Sequence, residues 1–146
     1  MAEGIELREL RLEDYEAMIA LWERVGLPYR PRGRDSREEI AAQMARDPGL
    51  FLGAFAGERL VGVVIGSDEG RKGWINRLAV DPEYQRRGLG RRLVEEVERR
   101  LRARGRKIVA ALVEDRNETS LEFFQRLGYK LDRSILYLSK REGDWV

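Results

Sequence analysis

The sequence predicts an α/β protein with strands running in both directions, and three observations carry that prediction. Three apolar runs of strand length, Leu50–Ala56, Arg59–Ser67 and Trp74–Val80, follow one another across short polar turns. That spacing suits antiparallel neighbours. Leu89, Leu93, Val97 and Leu101 then recur every four residues, which makes one apolar stripe of a helix lying against a sheet. Beyond Gly105, Lys107–Val113 is a further apolar run. Strand, helix and strand in that order imply a parallel pair joined by a crossover.

The remaining elements follow from periodicity and punctuation. Ile5 to Leu10 alternates apolar and polar residues, as a half-buried strand does. From Leu12 to Val25, Tyr15, Met18, Ile19 and Trp22 fall at helical spacing. Glu13 and Asp14 favour the first turn, and Gly26-Leu27-Pro28 ends the helix. Residues 26–35 form a loop rich in Gly, Pro and Arg. Ser36 or Asp35 can cap a second helix that runs to about Arg46, with Glu38 and Glu39 near its start. Gly57-Glu58 makes a hairpin of the first two apolar runs. Asn117-Glu118-Thr119-Ser120 opens a last helix, with Leu121, Phe124 and Leu127 inward and Gly128 at its end. Tyr129–Leu131 and Ile135–Ser139 read as two closing strands. There is no internal repeat, linker or low-complexity segment, so one domain over residues 1–146 is expected.

Composition limits the chemistry. Charged residues make up 37% of the 146, yet the net charge is only +2, too little for a whole-molecule field toward nucleic acid or membrane. The chain has no Cys and no His. Disulfides, thiol nucleophiles and the commonest metal ligands are therefore absent, and acid–base work falls to carboxylates, Tyr, Lys or water. No metal is expected. No signal core and no membrane-length apolar run occurs, so a cytoplasmic location is expected. The glutamates interspersed among the arginines of residues 91–104 speak against a nucleic-acid face.

The most informative stretch begins at Ile75. A strand ending Leu78-Ala79-Val80-Asp81-Pro82 leads into Gln85-Arg86-Arg87-Gly88-Leu89-Gly90 and then the helix. Pro82 stops the strand because it has no N–H for a ladder. Gly88 and Gly90 let a ligand approach the backbone, the first-turn amides of the helix lack internal partners, and Arg86, Arg87, Arg91 and Arg92 cluster there. The combination suits a pyrophosphate. A dinucleotide fold would need a third glycine where Leu93 stands, and a phosphate loop would need Gly-Lys-Ser/Thr, which is missing.

The hexapeptide Gln85–Gly90, with its strand and helix, resembles the acetyl-coenzyme A motif of the GNAT superfamily of N-acetyltransferases. Asn117…Phe124-Gln125-Arg126-Leu127-Gly128-Tyr129 is similar to the family's second signature, and the element order agrees along nearly the whole chain. The resemblance implies a strongly bent mixed sheet of six to seven strands with helices on both faces. It implies two strands, before the helix and after Gly105, that splay to admit the pantetheine arm. It implies acetyl-CoA as donor and a primary amine as acceptor, attacking directly in a ternary complex. The acceptor is left open between a small molecule and a protein N-terminus or lysine, and a homodimer is allowed. On this resemblance the cofactor residues are Leu78, Ala79, Val80, Gln85, Arg86, Arg87, Gly88, Leu89, Gly90, Arg91, Asn117 and Phe124. The helix–loop–helix of residues 12–46 would be one wall of the acceptor site.

Two departures bear on catalysis. The family's acidic Tyr falls at Phe124, which has no proton to give. Where the family often places a basic Glu, this chain has Trp74 and Leu112. Glu114 would share a face with Leu112 if the strand extends so far, and Asn76 could orient a water toward Leu78. Those two are the catalytic candidates. The competing class is a weak or inactive acyl-coenzyme A binding protein.

Overall fold

The computed structural model describes residues 4–146. Five strands form one sheet in sequence order: β1 (Ile5–Glu9), β2 (Phe51–Ala56), β3 (Arg59–Asp68), β4 (Gly73–Val80) and β5 (Val109–Ala111). The first four pair antiparallel, and β4 and β5 pair in parallel. The helices α1 (Tyr15–Val25) and α2 (Arg37–Arg46) cover one face, and α3 (Leu89–Ala103) and α4 (Glu118–Arg126) the other. Ser36 caps α2, its Oγ accepting from the Glu39 amide at 3.2 Å.

Two apolar clusters hold the layers. Met18, Leu21, Trp22 and Ile40 meet Phe51, Phe55, Val63, Ile65 and Ala79 on the α1–α2 side. On the other side Leu89, Leu93, Val97 and Leu101 lie over Leu52, Ala54, Val61, Val64 and Ile75. Close seating of α3 depends on sheet glycines. A Cβ on Gly62 would lie 3.0 Å from Leu93 Cδ1, and one on Gly66 2.7 Å from Val97 Cγ1. A Cβ on Gly73 would run into Leu101. Three members of the helical stripe thus each rest in a glycine socket, where an added methyl group would overpack the interior.

The expected sheet of six to seven strands is corrected to five. Among the described residues, Tyr129–Leu131 and Ile135–Ser139 have no ladder partner and form no strand, and the run at Lys107–Val113 pairs only over Val109–Ala111. Apolar, β-prone residues are only half of a strand; the other half is a hydrogen-bonded neighbour. Ile135, Leu136, Tyr137 and Leu138 remain exposed. Among the described residues no helix is long and apolar enough to cross a membrane.

Candidate active site

β4 carries an irregularity that decides which backbone groups face outward. Ile65 pairs with Arg77 and Gly66 with Ile75, so Asn76 is one extra residue, a β-bulge. Past the bulge, the Asp81 amide donates to the Val61 carbonyl at 2.8 Å. Antiparallel pairing alternates, so Ala79 and Arg77 also bond to β3, while Leu78 and Val80 turn their N–H and C=O groups to the other edge. On that edge β5 pairs only as far as Ile75 with Ala111. The two parallel strands therefore part just where the outward groups begin. A groove of about 1690 Å³ borders the split, with Trp74, Asn76, Leu112 and Phe124 among its lining residues.

The connection after β4 supplies the second part of the site. None of the amides of Gln85 to Arg91 has an acceptor among the described residues. Gly88 caps α3 at φ 78°, with no side-chain cap. Arg86 is at φ 64°, the one described non-glycine residue in the left-handed region, a conformation costly for L side chains. The space in front is open, since a Cβ on Gly88 would meet no atom within 4 Å. Neither Arg86 nor Arg87 has a carboxylate partner among the described residues; Arg87 lies over the Tyr84 ring at 5.2 Å. Arg91 pairs with Glu95 at 3.1 Å. Unaccepted amides, a helix N-terminus and two unpaired guanidiniums fit a diphosphate.

Several expected site residues have other commitments. Ala79 bonds to β3 and its side chain is buried on the α1 face, so it has nothing to offer at the open edge. The Leu89 side chain is in the core, which leaves only its amide. Gln85 spends its Nε2 on the Val80 carbonyl at 2.9 Å, tying the loop to the strand end. Gly90 faces Phe123, whose Cε1 would lie 3.4 Å from an added Cβ. It serves the approach of α4 more than that of a ligand. Asn117 caps α4, its Oδ1 accepting from the Ser120 amide at 3.2 Å, and its Nδ2 has no partner among the described residues. Phe124 is 9% exposed and stacks edge-on with Phe123 and Tyr129, both at 5.1 Å.

The two catalytic candidates stand apart. Asn76, at the bulge, donates through Nδ2 to Ser67 Oγ at 2.9 Å. Glu114 lies beyond the end of β5 at Ala111, with its side chain 73% exposed and Arg116 Nε 3.7 Å away. The strand extension that would have aimed Glu114 inward does not occur. Tyr129 does not replace the missing acid. Burial, and then its 2.6 Å hydrogen bond to Glu98, push its phenol well above the ordinary value.

A buried ion pair beside the bulge was not foreseen. Arg77 Nη2 meets Asp35 Oδ2 at 2.9 Å, and its Nη1 donates to the Pro28 carbonyl at 3.2 Å. Its guanidinium lies 4.7 Å from the centre of the Trp22 ring. Asp35 also accepts from the Arg30 amide at 2.7 Å, and its carbonyl from Tyr15 Oη at 2.6 Å. Loop 28–35 is thereby clamped to β4 one residue from Leu78. Burial lowers the Arg77 pKa from its ordinary value; Asp35 opposes this, and the Arg34 and Arg30 charges add to it. A charge inside an apolar strand signals a buried partner, but nothing local says which carboxylate it is.

The family model of the acetyltransferase (GNAT) family matches residues 5–129. The chain belongs to the GNAT acetyltransferase family. This acetyltransferase is 34% identical over 137 residues to acetyltransferase SG1711 of Sodalis glossinidius (strain morsitans), which covers 94% of this chain and 95% of that protein. It superposes on the PaiA N-acetyltransferase of Thermoplasma acidophilum, solved in complex with coenzyme A, with TM-score 0.77 and 27% identity over 90% of this chain and 92% of that one. It also shares its fold with the ribosomal-protein-S18-alanine N-acetyltransferase of Escherichia coli, at TM-score 0.69, 22% identity and coverage of 85% and 76%.

Proposed function

We propose that this acetyltransferase moves an acetyl group from acetyl-coenzyme A to the nitrogen of a primary amine, by direct attack within a ternary complex. The observation that carries the proposal is the open edge of β4, where Leu78 and Val80 turn their amides outward next to the unaccepted amides of Gln85–Arg91. The amides of residues 85–91, with Arg86 and Arg87, hold the diphosphate. Leu78 and Val80 bond the pantetheine arm, and the Nδ2 of Asn117 reaches it from α4. When bound, acetyl-coenzyme A supplies an activated acyl carbon and a thiolate leaving group.

This chain's own residues then have three tasks. The Leu78 N–H is a fixed donor for the negative charge that grows on the acyl oxygen, and it is in place before reaction. Asn76 orients a water beside it, through which the amine loses its proton to solvent. Loop 28–35 and α2 position the acceptor, which supplies much of the acceleration by proximity. Phe124 closes the wall without proton transfer. A thiol pKa of about 8.5 makes its departure as thiolate tolerable without a donor.

The test is release of free thiol from acetyl-coenzyme A by the purified protein, with pools of amino acids, polyamines, aminoglycosides and peptide N-termini. Acceptor-dependent release with a new acetamide in the product supports the proposal. Tight binding of acetyl-coenzyme A with no release in any pool would instead favour a binding protein, the alternative suggested by Phe124 and the exposed Glu114.

A further inference from the structure

Loop 28–35 is fastened to the sheet at one place. Among the described residues, every hydrogen bond between the loop and a strand is made by a single side chain, Arg77. Its two terminal nitrogens divide the work. Nη1 donates to the carbonyl of Pro28, where the loop begins, at 3.2 Å, and Nη2 to the carboxylate of Asp35, where it ends, at 2.9 Å. One planar fork thus holds both ends of the loop. The loop's other hydrogen bonds close turns in and beside it, such as those of the Gly33 and Asp35 amides to the Arg30 carbonyl, or run to α1 through Tyr15 and Tyr29. None of these reaches β4.

Stability alone is a poor reason for such a fork. The Arg77 side chain is 12% exposed and that of Asp35 5%, so both charges have largely left water. A buried ion pair of this kind gains little over apolar side chains of the same volume. What a guanidinium and a carboxylate add is direction, since their bonds have a fixed geometry that apolar contact lacks. The position is also particular. Arg77 stands between Asn76, at the bulge, and Leu78, whose N–H turns to the split. Its guanidinium goes to the α1 side, 4.7 Å from the centre of the Trp22 ring. The strand that carries the outward N–H therefore also carries the anchor of the loop, one residue away.

We infer that Arg77 and Asp35 are positioning residues for acetyl transfer: by holding both ends of loop 28–35 against β4, they set where the acceptor amine stands relative to the Leu78 N–H. The inference rests on the acetyl-transfer proposal and adds the residues that fix its second substrate. In that transfer the N–C bond forms, the C–S bond breaks, the amine proton goes to water and the thiol leaves as thiolate. Arg77 and Asp35 take no part in these bonds, and neither hydrogen-bonds to residues 85–91. Loss of the clamp should therefore disturb the amine's approach and spare acetyl-coenzyme A binding.

Two variants separate this role from support of the fold. Arg77→Met/Asp35→Leu replaces the ion pair by an apolar pair and leaves neither charge alone in the interior. Arg77→Lys keeps a charge for Asp35 but has no second arm for Pro28. Each is compared with the parent in melting temperature, in Kd for acetyl-coenzyme A, and in kcat and KM toward spermidine, kanamycin, free alanine and a hexapeptide beginning with alanine. Limited trypsin digestion, followed by mass spectrometry at the Arg32–Gly33 and Arg34–Xaa35 bonds, reads the loop directly. The apolar-pair variant should melt close to the parent and keep its Kd for acetyl-coenzyme A. Its kcat/KM for the amine that the parent accepts should fall roughly ten- to a hundredfold, since a misplacement of about 1 Å costs on the order of 10²-fold. Both loop bonds should be cut faster. Arg77→Lys should lie between this variant and the parent. If the apolar pair does not fold, Arg77→Lys decides by the same criteria. Parental kcat/KM in a folded variant, cutting at the parental rate, or a loss of acetyl-coenzyme A affinity as large as the loss in kcat/KM would overturn the inference and leave acetyl transfer standing. No transfer by the parent to any of the four amines would overturn both.

Discussion

Phe124 and Glu114 show how a residue's surroundings assign its role. Phe124 stands where the resemblance led us to expect an acidic Tyr, yet its ring is enclosed by Phe123, Tyr129 and the core beneath α4. Phe124→Ala should therefore lower stability by roughly 3–5 kcal/mol, as large-to-small changes in cores do, measured by urea unfolding. Glu114 is solvated and beside Arg116, a poor setting for a base. Glu114→Gln should leave turnover within about twofold of the parent, whereas loss of a true general base costs roughly 10²–10⁴. Turnover against pH, with an accepted amine, distinguishes the two. With solvent as base, the parent's rate should climb with pH toward the amine's own pKa.

At the scale of elements, the seat of α3 on the sheet is the most exacting contact. Gly66 lies beneath Val97, a stiff branched side chain with no exposure. Gly66→Ala should cost about 1–3 kcal/mol through overpacking. Adding Val97→Ala should recover part of that loss, because the two changes share one space. Additive denaturation midpoints for the pair would show that the socket does not couple them. Between elements, Asp81 joins α1, β3 and the end of β4, with Arg24 Nη2 at 3.1 Å and Arg59 Nη2 at 3.2 Å. Burial alone would raise its pKa, but the Glu83 amide and the two guanidiniums outweigh burial and hold it below the ordinary value. A depressed folded value means that this stabilisation is complete above the unfolded pKa, about 3.9. It fades as pH falls below that toward the folded value. Asp81→Asn should thus be less stable at neutral pH and lose less stability on acidification through that range, as followed by thermal unfolding from neutral to acid.

For the whole molecule, the split sheet and the glycine loop should act as one ligand site. Acetyl-coenzyme A at ~100 times its Kd should add about 2.7 kcal/mol of stability, as any ligand selective for the native state does. NADH, which carries a diphosphate but no pantetheine for the edge of β4, should shift the melting temperature far less. Gly88→Val, which places a branched side chain at φ 78° in the open space before the amides, should remove most of the acetyl-coenzyme A shift. A larger shift with NADH than with acetyl-coenzyme A would contradict the site.

The stripe of α3, the caps and stops of the helices, and the strand–loop–helix around Gly88 were legible in the sequence because each depends on residues a few positions apart. Periods of two and of about four, and the special backbone needs of Gly and Pro, are local physics. The bulge at Asn76 is different. Alternation cannot reveal an inserted residue until the partner strand fixes the register, so only the paired sheet shows that Leu78 and Val80, and not Ala79, face the split. The same holds for the absent closing strands, where Ile135–Leu138 has strand composition but no neighbour to bond among the described residues. It holds for the Arg77–Asp35 clamp, whose members are 42 residues apart. Twenty-four arginines were countable in the sequence; which of them lack a carboxylate was settled by tertiary distance, because an ion pair forms between whatever groups the fold brings within a few ångströms.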